Sequence, residues 1–412
     1  MKINQLTRRI ALLIMLMLTI TILSVRMRAD TGTCGGEGVM LPFTDTMGNF
    51  FFCQIAAAYF SGLTNGTTAT TYSPGASVPR EQMAAFVTRT LDQSLRRGHP
   101  RAALGEWWTN KTTLRSAGTL TGFHNPRFLA SDGLTVWASN TEGNTVSRVD
   151  IKTGELICTL SGVLSPEQIV IVSGTVFVAS FQSPGRINFA DLSVTTNQPM
   201  NLLGGNMGDN PVGITFDGQN LWTANDGSGP GTGSISRSNG IGSVATFTTG
   251  FSQPRGILFD GANLWVADAG DSSLKRVDTT SAAVLQTIPL SGTVGHPVFD
   301  GTNLWIPCGD RMFVVRSVGG STGTVPLGTV LAQLTGNGLN GAFAAAFDGE
   351  RICVTNASAG GVSLWKATDL SPIGAVNALA FGYNPRGVCS DGITFFVGLR
   401  DPMGGSGSIV RF

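Results

Sequence analysis

Charge and histidine are both scarce in this chain. Asp, Glu, Lys and Arg together make up 13% of the 412 residues and balance to a net charge of +1, against about 25% charged residues in ordinary globular domains. A chain so poor in charge has no basic field to grip a phosphate backbone, which excludes nucleic acid as a partner. The three histidines, His99, His124 and His296, are far apart, and no Cys-x-x-Cys spacing occurs, so no metal centre is expected. No convincing Ser-His-Asp arrangement is present either, and no catalytic residue or cofactor is expected. Beyond residue 29 no apolar run approaches the roughly 20 residues a spanning helix needs, so no later segment is expected to cross a membrane.

Glycine is what the chain has in quantity, 55 residues, and its placement is periodic. A short apolar run ends at Asp132-Gly133, Ser173-Gly174, Asp217-Gly218, Asp260-Gly261, Asp300-Gly301, Asp348-Gly349 and Asp391-Gly392, and an aromatic-rich run follows each pair. The pairs are 40 to 48 residues apart. Such a period, with four strand-like runs per unit, predicts the blades of an all-β, seven-bladed β-propeller.

In the fourth unit the turn signals predict strands at Arg255 to Phe259, Asn263 to Ala267, Leu274 to Asp278 and Ala283 to Pro289. Trp137, Trp222, Trp265 and Trp305 recur at one position of the second strand, where the Phe177 and Phe396 regions take the same role, and supply apolar area for packing between blades. The seventh unit stops without a fourth strand. Leu114 to Gly122 is predicted to replace it by pairing with Gly407 to Phe412, closing the ring and removing an open edge.

The first 29 residues read as a signal peptide, with Lys2, Arg8 and Arg9 ahead of an apolar stretch from Ile10 to Val25. An uncleaved anchor is the alternative. In an exported protein Cys34 and Cys53 would close a disulfide, whereas Cys158, Cys308, Cys353 and Cys389 fall in strands of different blades and read as buried free thiols.

Residues 42–95 differ in character from the repeats. Pro42-Phe-Thr-Asp45, an apolar helix around Gln54 to Phe60, Gly62-Leu-Thr-Asn-Gly66, Tyr72-Ser-Pro74 and Val78-Pro-Arg-Glu81 with a second helix behind it occur in that order. This run resembles an S-layer homology (SLH) domain, departing from it at Pro79, where Thr is usual, and in standing as one copy where three in tandem are common. The resemblance implies a small α-helical domain that attaches the chain to envelope polysaccharide, with Asp45 and Arg80 as the glycan-facing groups. The residues by themselves leave Asp45 free to cap the first helix and Arg80 to be solvated. Residues 96–112 read as a linker, and 113–412 as the propeller.

The propeller's phrasing, as in Pro254-Arg-Gly-Ile-Leu-Phe-Asp-Gly-Ala-Asn-Leu-Trp-Val-Ala-Asp268, resembles the NHL and YVTN-type repeat families. These are mostly recognition scaffolds, which implies an unknown protein or glycan as partner. The streptogramin-type lyases, which use a mouth-facing His with a metal, are the enzymatic alternative, and His124 and His296 would be its candidates. First and second strands of a blade are antiparallel, so the start of one and the end of the other share a face of the disc. That geometry predicts a polar mouth from Arg127, Glu167, Arg255, His296 and Arg386, with Asn140, Asn225, Asp268, Asp310 and Asn356 from the second-strand ends. The competing use of the Asn and Asp residues is Asx turns.

Overall fold

The structure is a computed structural model that describes residues 30–34, 37–60, 64, 66–80, 83, 120–151, 153–240, 243–317, 325–377, 384–401 and 406–411. The expected signal segment at 1–29, the linker at 96–112 and nearly all of the second N-terminal helix lie outside the described residues. The described residues belong to two compact units.

The larger unit is a seven-bladed propeller of four-stranded antiparallel sheets. Strands are lettered A to D outward from the axis. The A strands are Pro126–Ser131, Pro166–Val172, Pro211–Phe216, Pro254–Phe259, Val298–Phe299, Ala342–Phe347 and Asn384–Ser390 in blades 1 to 7. In blade 4 all four strands, Pro254–Phe259, Leu264–Asp268, Ser273–Val277 and Val284–Pro289, begin and end within one residue of the boundaries that the turn signals predict. Strand D of blade 7 comes from Leu120–Phe123, which pairs antiparallel with Gly407–Arg411 through Leu120↔Ile409 and Phe123↔Gly407. The ring is closed as predicted, although 114–119 lie outside the described residues.

The Asp-Gly pair works through both residues. All seven turn glycines have positive φ, from 79° at Gly174 to 101° at Gly349, a region that side chains disfavour. The preceding Asp accepts backbone N–H groups two and three residues on, as Asp260 does from Ala262 at 2.9 Å and Asn263 at 2.7 Å. Its second oxygen reaches the recurrent Trp: Trp222, Trp265 and Trp305 donate Nε1 to Asp217, Asp260 and Asp300 at 2.6 to 2.7 Å. In blade 1 the Thr135 hydroxyl takes that oxygen of Asp132, and Trp137 Nε1 is left without a partner.

These tryptophans are fully buried between blades. Trp137 packs with Val176 and Val178 of blade 2, and Trp265 with Leu304, Ile306 and Val315 of blade 5. Phe177 and Phe396 do the same against Ile214 of blade 3 and Leu129 of blade 1. Every blade thus hides a face that one sheet alone would leave wet. Cys158, Cys308, Cys353 and Cys389 are buried and free, inside this packing.

The N-terminal unit departs from the expected pair of helices. Its described residues hold one helix, α1 (Phe52–Phe60), behind a two-stranded hairpin, β1 (Asp30–Cys34) and β2 (Glu37–Leu41). Phe52, Ile55 and Ala56 face inward onto Cys34, Val39, Leu41 and Phe43, and the Cys34–Cys53 disulfide ties β1 to α1. The hairpin takes the place of purely helical architecture because alternate residues Val39 and Leu41 cover the helix while Met40 faces solvent. Arg80 and Met83 are helical, but the segment that would complete a second helix is not among the described residues. No helix among the described residues is long and apolar enough to cross a membrane.

Candidate functional site: the propeller mouth

Where strand A begins, its register against strand B slips in blades 1 to 4, 6 and 7, so that two successive residues oppose one. In blade 1 these are Arg127 and Phe128, in blade 2 Glu167 and Gln168, in blade 6 Phe343 and Ala344, and in blade 7 Arg386 and Gly387. His296 stands just ahead of the short A strand of blade 5 and bridges to Ala344 of blade 6.

The structure brings five predicted residues together here. Arg127 pairs with Glu167 at 3.0 Å, and Arg255 pairs with Asp226 at 3.1 Å. Phe128 of blade 1 meets the His296 ring edge-on at 4.6 Å and Phe343 at 5.8 Å, and His296 lies 5.2 Å from Phe343. Blades 1 and 5 are not neighbours, so this contact crosses the axis and plugs it. The Arg386 guanidinium lies over the Phe343 ring at 5.2 Å. Glycine makes the approach possible: a Cβ at Gly387 would stand 2.5 Å from the Arg127 carbonyl oxygen, and one at Gly213 2.5 Å from that of Arg255.

Burial governs the electrostatics. Glu167 is 1% exposed, and loss of water raises its carboxyl to about 7, although Arg127 beside it pulls the other way. Its Oε2 has no hydrogen-bond partner. His296 is 5% exposed; desolvation first, then the charges of Arg127 and Arg255, lower it to about 3, and its Nδ1 is also unpartnered. The imidazole is therefore neutral at physiological pH and a weak base. Burial, with the cations Arg127 and Arg400 nearby, also depresses Arg386 below its ordinary value.

The second-strand residues take a different place. Asn140, Asn225 and Asn356 are buried within their blades and donate Nδ2 to strand-C hydroxyls: Ser147 at 2.8 Å, Ser236 at 2.9 Å and Ser363 at 2.8 Å. Asp268 is buried too; it accepts from the Ser252 and Gln253 backbones, each at 2.8 Å, and pairs with the buried Lys275 at 3.0 Å. Asp310 pairs with Arg311 on the surface. His124 is exposed ahead of blade 1. Among the described residues no group of three His, Cys, Asp or Glu stands close enough to hold a metal.

Asp226, Phe128 and Phe343 belong to the mouth without having been anticipated. Asp226 opens the Gly-rich loop Asp226 to Gly233, which the Thr232 hydroxyl orders by accepting from Ser228 and Gly229. Its signal was its position one residue past the end of strand B.

In the N-terminal unit, Asp45 accepts the backbone N–H groups of Tyr72 at 2.8 Å and Ser73 at 2.7 Å, fastening the Tyr-Ser-Pro loop. It does not cap α1; Asn49 accepts from Phe51 at 2.8 Å ahead of that helix. Asp30 accepts from Thr46 and Met47, and these bonds hold its carboxyl below the ordinary value despite burial. Arg80 is exposed.

No family model and no curated protein matches the chain. Solved propellers do. A hydrazine synthase structure from Kuenenia stuttgartiensis aligns with a TM-score of 0.57 at 17% identity, over 72% of this chain and 98% of that one. The β-propeller domain of Cps50 (Swd1) from Myceliophthora thermophila gives 0.55 at 12%, over 71% and 98%, and a streptogramin B lyase gives 0.55 at 14%, over 72% and 97%. At such identities the likeness extends to the fold alone, and the functions of these three proteins are diverse.

Proposed function

We propose that this chain is a non-catalytic, exported, envelope-associated binding protein. The propeller mouth is its recognition site for a protein or glycan, and the N-terminal unit, which resembles an SLH domain, attaches to envelope polysaccharide. The observation that carries the reading is the mouth itself. Three arginines and two carboxylates from five blades converge on an axis plugged by aromatic rings, and two buried polar atoms there have no partner. Burying the Glu167 carboxylate is costly, and its pairing with Arg127 leaves Oε2 without a partner, so a ligand that completes it is a direct account of the arrangement. The Cys34–Cys53 disulfide suits an oxidising compartment.

The test is co-sedimentation of the full chain with purified cell envelopes, comparing the parent with Arg80→Ala and with Arg255→Ala. Arg80 is the cleaner probe of attachment, because Asp45 holds a loop and its loss would disturb the fold. A parent protein that stays in the supernatant sinks the envelope reading.

A propeller lyase is the second reading, favoured by His296 at the mouth and by the likeness to a streptogramin B lyase. A base at about 3 works poorly at neutral pH, which weighs against it. Turnover of streptogramin B that disappears in His296→Ala would establish the lyase and displace the binding reading.

A further inference from the structure

We propose that the mouth takes a hydroxylated carboxylate, the chemistry of an acidic sugar, with the Arg386 guanidinium as its anion contact and Phe343 as the wall beside it. This rests on the reading of the mouth as a recognition site. Arg386 lies over the Phe343 ring, 5.2 Å from its centroid, and forms no ion pair among the described residues. Residues 378–383 and 402–405, outside the described residues, contain no Asp or Glu. Its cationic neighbours already have partners: Arg127 is paired with Glu167 at 3.0 Å, and Arg400 with Glu142 at 2.9 Å. A half-buried cation among cations, with no counter-ion among the described residues, is a charge that an incoming anion would compensate. Arg386 forms no side-chain hydrogen bond among the described residues, so its guanidinium offers the fork of N–H donors that fits a carboxylate with two parallel bonds.

Charge balance limits the anion. Asp226 offsets Arg255 and Glu167, once ionised above about 7, offsets Arg127, so there one positive charge is uncompensated and the two carboxylates would repel a second negative charge on the ligand. That favours a carboxylate over a phosphate dianion. A hydroxyl suits Glu167 Oε2 and His296 Nδ1, two buried polar atoms without a hydrogen-bond partner that it would complete directly or through a water.

The experiment is calorimetric titration of the full chain with glucuronate, glucose, benzoate and inorganic phosphate, at two salt concentrations. Glucuronate should bind saturably and more weakly at higher salt, and glucose should bind about tenfold or more weaker. Arg386→Gln should lose about tenfold or more in glucuronate affinity while Arg386→Lys retains part of it. The thermal midpoint of Arg386→Gln should stay level or rise, since an uncompensated cation is removed. Glucose binding as well as glucuronate, phosphate binding better, or glucuronate affinity indifferent to salt overturns the proposal without any variant; benzoate binding better overturns its sugar component. An envelope glycan that binds but is not displaced by glucuronate refutes the carboxylate assignment and leaves the recognition reading standing. Saturable glucuronate binding with no envelope glycan bound upholds the assignment and counts against the envelope.

Discussion

Glu167 and His296 lie in the same mouth and are linked to folding with opposite signs. For Glu167 the folded value of about 7 exceeds the ordinary 4.5, so its favourable contribution is full below about 4.5 and is lost as pH rises through about 7, on the order of 3 kcal/mol. For His296 the folded value of about 3 lies below the ordinary 6.5, so stability is full above about 6.5 and is lost as pH falls towards about 3, on the order of 5 kcal/mol. Between about 4.5 and 6.5 one group binds a proton on folding and the other releases one, and the slopes cancel. Denaturant midpoints of the parent should therefore be level across that window. Glu167→Gln should leave stability that climbs with pH, and His296→Gln stability that declines. A Glu167→Gln protein with the parent's level profile would show that Glu167 is not the proton acceptor. The residue types at these positions were readable, but their protonation was not, because it depends on how completely seven blades exclude water from the axis.

At the scale of the element, the repeat is legible because its causes are local. An Asp that accepts from two backbone amides, a Gly at positive φ and a Trp five residues after the Asp all lie within one hairpin, and the strand boundaries of blade 4 follow from them to within a residue. Glycines in turns and at the axis serve different ends, which substitution should separate. Gly261 has φ of 99° with open space around it, so Gly261→Ala should cost only backbone strain, about 1 to 2 kcal/mol. Gly387 has an ordinary φ but no space, and Gly387→Ala must push blade 7 off blade 1. Its loss in urea unfolding should exceed that of Gly261→Ala, and the reverse order would refute the close approach. Trp265→Ala empties a fully buried site between blades 4 and 5 and leaves Asp260 Oδ2 with the Ser317 hydroxyl as its remaining side-chain donor, with an expected cost of about 3 to 5 kcal/mol in the same measurement. The β1–β2 hairpin was missed although Gly35-Gly36 stands between its strands, a recognised hairpin signal. Its strands are short and rich in Gly and Thr, and the helix and disulfide that stabilise them come later in the chain.

Closure is the property of the whole molecule that most affects its integrity. Deleting Leu120–Phe123 would bare Gly407–Arg411 and leave blade 7 with three strands. The melting temperature should fall by about 10 °C or more, or the protein should aggregate. An unchanged melting curve would contradict the pairing of the two ends. Mass spectrometry of unreduced, alkylated and denatured protein should find Cys34 joined to Cys53 and four alkylated thiols at Cys158, Cys308, Cys353 and Cys389. What the sequence by itself determined is the blade count, the turns and the interblade aromatics, since each is set by residues close in the chain and repeated at a fixed period. The mouth was decided by tertiary structure. Phe128 meets His296 across the axis, Asp226 takes Arg255, Arg386 has no counter-ion among the described residues, and Asn140, Asn225, Asp268 and Asn356 turn inward to strand C. The Asn and Asp side chains meet strand C only 7 to 11 residues on, once the hairpin register is set, whereas the charges and rings of the mouth come from different blades, and only the ring's closed geometry, which brings the entries of seven inner strands to one axis, fixes which charge faces which.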